Sequence, residues 1–96
     1  MSLKPTHSAM VLRGEVRIAP EHLSERTAYA YSIRCSGVLA GEHVTCVVEL
    51  EDSKKKISNQ FQAATLHFIY KPSLEEGQKS IGLFAGRKQI FEFRIV

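Results

Sequence analysis

Residues 31–50 read Tyr31-Ser32-Ile33-Arg34-Cys35-Ser36-Gly37-Val38-Leu39-Ala40-Gly41-Glu42-His43-Val44-Thr45-Cys46-Val47-Val48-Glu49-Leu50. Alternation on both sides of the glycine-bearing turn Gly37–Gly41 is the period of strands with one buried face. From Thr27 to Ser36, Tyr29, Tyr31, Ile33 and Cys35 share one face. From His43 to Glu51, Val44, Cys46, Val48 and Leu50 do the same. A direct hairpin centred on Leu39-Ala40-Gly41-Glu42 pairs Cys35 with Cys46, Ile33 with Val48 and Tyr31 with Leu50. Every inward residue then meets an inward residue, as a buried face requires. On the outer face Arg34 lies diagonal to Glu49, within reach of a cross-strand ion pair. The cysteines are therefore expected as core neighbours, two thiols acting as small hydrophobes. The competing reading is a disulfide, which suits an exported protein.

The alternation continues outward from this hairpin. Between Ala9 and Ile18, Met10, Leu12, Val16 and Ile18 face inward, and Gly14 on that face marks a bulge or a close backbone approach. Pro20 closes the strand. Thr65–Lys71 reads as a strand with Leu66, Phe68 and Tyr70 together, ended by Pro72. Lys79–Phe84 and Gln89–Val96 are the last two strands, joined around Ala85-Gly86-Arg87-Lys88, with Ile81, Leu83, Phe91, Phe93 and Ile95 inward. Ile57–Ala64 is ambiguous, because Ile57, Phe61, Ala64 and Phe68 also recur at helical spacing. The expected core is Leu12, Val16, Ile33, Cys35, Cys46, Val48, Leu66, Phe68, Leu83, Phe91 and Phe93. This assignment leaves no aromatic ring on an outer face to stack on a base.

Ninety-six residues make one domain. With 44% hydrophobic and 24% charged residues, wholesale disorder is excluded. Residues 1–8 read as a loose leader and 9–96 as a single β domain. Short strands punctuated by Gly and Pro turns predict an all-β fold. That fold is an antiparallel sandwich of about seven strands, immunoglobulin-like, or alternatively an OB-type barrel. No apolar run approaches the ~20 residues that span a bilayer, so membrane insertion is not expected. The start of the chain lacks a signal-peptide shape, which slightly favours the cytoplasm.

His7, His22, His43 and His67 are far apart and read as solvent-facing, and the cysteines lack a ligand set, so no metal is expected. Ser24, Ser32 and Ser80 have no G-x-S-x-G setting. Glu75-Glu76 and the pair Glu49 and Glu51 do not converge as acid–base catalysis needs. Gly82–Gly86 is not a phosphate loop. The expectation is a non-enzyme without cofactor. Asp52-Ser53-Lys54-Lys55-Lys56 reads as a solvated turn, with an anion-binding tip as its functional alternative.

Two resemblances bear on the fold. Leu66–Pro72 through Gly77, Ser80–Gly86 and Phe91–Val96, with a Tyr-x-Pro strand end and a closing Phe-x-Phe strand, resemble the final strands of immunoglobulin-like domains of the filamin kind. That resemblance implies an interaction or structural module with a protein partner, or a homo-oligomer. Leu12-Arg13-Gly14-Glu15-Val16 followed by Pro20-Glu21 looks like the first strand of OB-fold single-strand-binding proteins and their primosomal relatives, which implies nucleic acid as partner.

Each class has its own residues. For a protein partner, the terminal strand Gln89–Val96 is the docking edge, with Ile90, Glu92, Arg94 and Val96 outward and free for strand addition. For nucleic acid, the net charge of +3 and outward Arg13, Arg17 and Arg34 form a basic stripe. Its bland reading is a solvated face balanced by Glu15, Glu49 and Glu51.

Overall fold

The computed structural model describes residues 10–22, 28–74 and 76–96. The expected leader, 1–8, lies outside them. Six strands are present: β1 (Met10–Ile18), β2 (Ser32–Leu39), β3 (Glu42–Leu50), β4 (Gln62–Phe68), β5 (Ser80–Ala85) and β6 (Lys88–Ile95). A short 3-10 turn, Pro20–His22, follows β1. The strands close into one antiparallel barrel in the order β1-β4-β3-β2-β5-β6, and β6 returns to β1. The expected two sheets of about seven strands are thus replaced by a single closed sheet.

The β2–β3 hairpin has the register read from the sequence. Cys35 faces Cys46, Ile33 faces Val48, and the pairing runs to Leu39↔Glu42. β2 continues past Ser36 to Leu39, so the turn is only Ala40-Gly41. Both residues have positive φ, 50° and 79°, the two-residue type I′ geometry that matches strand twist. At the other end, the Leu50 amide donates to the Tyr31 carbonyl. Arg34 stands opposite Val47.

β1 closes the barrel because it serves two neighbours. Its first part, Met10–Val16, pairs with β4, and its second part, Gly14–Ile18, pairs with β6. Gly14 belongs to both ladders. A Cβ there would overlap the Arg94 carbonyl and lie 2.9 Å from Phe93 Cζ. Of the two readings of this glycine, close approach is the one observed.

The alternating inward residues fill the barrel. Val16, Cys46, Val48, Leu66, Phe68, Leu83, Phe91 and Phe93 are fully buried, and Leu12 and Ile33 are half-buried against them. The segment of ambiguous period forms no helix. Its first part is an extended strap that plugs one barrel end with Ile57, which exchanges two backbone hydrogen bonds with Tyr29, and its last residues, from Gln62, begin β4. The Ser58 carbonyl accepts from the Ile18 amide at 2.7 Å.

The expected facing fails at several places: Tyr70, expected with Leu66 and Phe68, is exposed, and Val47, on the other face of β3 from Cys46 and Val48, is buried. β5 and β6 slip by one residue between Leu83 and Phe84, so Ile90 has no partner on β5 and turns inward beside Phe91. Such a bulge adds one residue to one strand and breaks the alternation. Tyr31, expected inward, is exposed. His67 and His22, expected in solvent, are buried. His67 bonds the Thr65 hydroxyl at 2.9 Å, and His22 Nε2 bonds the Tyr29 hydroxyl. Their burial is eased because each ring keeps a hydrogen-bond partner.

Candidate binding surface

The residues expected at a docking edge are not at an edge. β6 pairs with β1 over Phe91–Ile95 and with β5 over Lys88–Arg94. Its backbone offers no unpaired row to an added strand. Ile90 is buried in the bulge, and Val96 is exposed beyond the end of β6. Glu92 and Arg94 face outward but are engaged. Arg17 Nη2 meets Glu92 Oε2 at 3.1 Å, and Arg94 Nε meets Glu15 Oε1 at 3.1 Å. Both are direct cross-strand partners on β1 and β6.

The basic stripe does not assemble either. Arg17 is neutralised by Glu92. Arg13 on β1 and Arg34 on β2 are separated by β4 and β3, three strand spacings or about 14 Å. Glu49, opposite Thr65, stands in that interval. Lys54, Lys55 and Lys56 are exposed on the strap before Ile57, with the Lys54 amide bonded to Asp52 Oδ1 at 3.0 Å. Among the described residues no group of three or more His, Cys, Asp or Glu is placed to hold a metal ion. No helix among them is long and apolar enough to cross a membrane.

Two outward aromatic sites were missed from the sequence. The first is Phe61, just before β4. The guanidinium carbons of Arg17 and Arg94 lie 4.5 and 3.9 Å from its ring centroid, the range of cation–π attraction. A cleft of about 350 Å³ opens beside it, lined by Leu50, Glu51, Asp52, Lys55, Phe61, Gln62 and Ala63. The second is Phe84 on β5. Strand parity already sets it with Gly82 and opposite Leu83, so its signal was present. Phe61 carried no such signal, because its segment read equally as helix.

Local sequence shapes the Phe84 site. Gly82 leaves room for two side chains to lie down on β5: a Cβ there would be 3.1 Å from Phe84 Cε1 and 3.3 Å from Gln89 Nε2. Gln89 is fixed by donating to the Phe91 carbonyl at 3.2 Å. His43 meets the Phe84 ring nearly edge-on, at 71° with centroids 5.2 Å apart. The β5–β6 turn is two residues, Gly86-Arg87, with Gly86 at φ 62°. That tight turn places Arg87 and Lys88 at the barrel rim. Between it and the Pro20–His22 turn lies a cleft of about 360 Å³ lined by Glu21, His22, Phe84, Arg87, Lys88 and Gln89.

No family model, curated protein or solved structure matches the chain. Function is then a matter of what this surface can hold. The cleft combines an aromatic wall, two exposed cations, one exposed carboxylate and a fixed amide. Its size lies at the low end for small-ligand sites.

Proposed function

We propose that this barrel is a non-enzymatic module that binds single-stranded nucleic acid on its outer wall. The observation that carries the reading is the outward Phe84 ring beside Arg87 and Lys88. Binding without sequence preference combines aromatic faces for the bases with cations along the backbone. The sequence reading lacked outer aromatics, and the fold supplies them at Phe84 and Phe61. The closed barrel accords with the OB-type alternative over the sandwich, but fold analogy alone is a weak warrant for function. An OB barrel is five-stranded and partly open, whereas this one has six strands and is closed.

Titrating the protein with a labelled oligothymidylate about 16 nucleotides long tests this. Affinity is expected to fall with salt at a slope of about −0.7 for each phosphate neutralised on a single strand. Absence of binding at low salt contradicts the reading.

A second reading, a protein-interaction module, rests on a different surface. Tyr70 is 75% exposed and Leu74 43% exposed, both on the connection between β4 and β5. This surface replaces the terminal edge as the place where a protein partner docks. A pull-down that loses its partner with Tyr70→Ser but not with Phe84→Ala favours it.

A further inference from the structure

We infer that the cleft between the Pro20–His22 turn and the β5–β6 hairpin seats one nucleobase and its phosphate. The base lies on Phe84, and the phosphate meets Arg87, with Lys88 adding charge at the rim. This rests on the nucleic-acid reading and gives that reading a place on the wall.

The two outward aromatic sites differ in their charge. Around Phe61 stand Arg17, Arg94 and Lys55, but Glu92, Glu15, Glu51 and Asp52 oppose them. Two of those cations are already held by carboxylates, and the cleft wall itself carries two acids. A phosphate brought there meets net repulsion. Around Phe84 the balance is reversed: among the described residues lining that cleft, Arg87 and Lys88 outnumber Glu21. Lys88 already has a contact within the protein, so it contributes charge at the rim rather than a vacant donor. Arg87 is exposed at the turn tip, where a guanidinium can fork onto two phosphate oxygens.

The floor of the cleft is also built for a flat ligand. With no side chain at Gly82, the Phe84 ring and Gln89 amide lie close on the β5 backbone. His43 restricts the ring from the β2–β3 side, so the platform is held before a ligand arrives. Ordering it costs little at binding, which is the benefit of preorganisation.

The test measures binding of labelled oligothymidylate and oligouridylate to wild type, Phe84→Ala, Arg87→Gln and Lys71→Gln across a salt series. Lys71 is exposed past the end of β4 and does not line the cleft, and its variant makes the same charge change as Arg87→Gln. Phe84→Ala is expected to weaken binding about tenfold. Arg87→Gln is expected to reduce the salt slope by about 0.7, and Lys71→Gln to match wild type. Tighter binding of one oligonucleotide identifies DNA or RNA as the preferred source of the same base-and-phosphate chemistry. If wild type binds but Phe84→Ala and Arg87→Gln bind equally well, the location is wrong while the nucleic-acid reading stands. Equal losses in Arg87→Gln and Lys71→Gln also overturn the location, since only net charge then matters. If wild type binds neither oligonucleotide, both fall. Should Phe84→Ala melt below the assay temperature, Arg87→Gln decides alone, because its side chain is in solvent.

Discussion

Cys35 and Cys46 face each other across the β2–β3 ladder with their sulfurs 3.8 Å apart, and both are free thiols in the barrel core. The hydrogen bond between the Cys46 thiol and Cys35, reinforced by burial, holds the Cys46 proton and pushes that thiol far above the ordinary range. The unfolded chain loses that proton near pH 8.5, and the folded barrel keeps it. Above that pH the unfolded state binds fewer protons, so stability falls as pH rises. Urea melts between about pH 8.5 and 10 are expected to lose up to about 1.4 kcal/mol per pH unit from this group. Below pH 8 the contribution is fully present. Cys46→Ala is expected to flatten that slope, and an unchanged slope contradicts the assignment.

Gly14→Ala is expected to destabilise the barrel by about 3 kcal/mol, the upper part of the usual overpacking range. The new methyl overlaps the Arg94 carbonyl, a backbone atom that cannot rotate away. Thermal melting measures it, and a loss below about 1 kcal/mol shows that β1 and β6 can separate at that point.

Phe93→Ala is expected to cost about 3–5 kcal/mol and Leu12→Ala distinctly less. Phe93 is fully buried and packs beneath Gly14, whereas Leu12 is only half-buried. Equal losses in denaturant melts place the barrel centre elsewhere.

Amides 91–95 are expected to exchange with solvent as slowly as those of Ile33 and Val48, since β6 is laddered on both sides. The strap residues 51–56, exposed and mostly outside ladders, are expected to exchange fast. Fast exchange along 91–95 reopens the terminal strand as an edge.

Much of this fold was legible in the sequence because it depends on period two. The Cys35–Cys46 register and most of the core list follow from alternation, which placed Gly14 on the inward face but left a bulge and a close approach both open. Closure did not follow, because it depends on β1 changing partners at Gly14, and alternation does not say which strands are neighbours. Ile90 was misassigned because a bulge inverts parity without marking the sequence. His22 and His67 were misplaced because polar identity suggests solvent, while burial depends on contacts made by other segments. The candidate site was half legible. Phe84 had the outward parity, but its value depends on the turn that brings Arg87 and Lys88 to the same rim.

Binding of single-stranded nucleic acid at the Phe84 cleft is tested most directly by amide chemical-shift mapping. Oligothymidylate added to isotope-labelled protein is expected to shift the amides of His22, Gly82, Phe84 and residues 87–89 together, in one saturating titration. Shifts confined to residues 70–78, or none at all, contradict it.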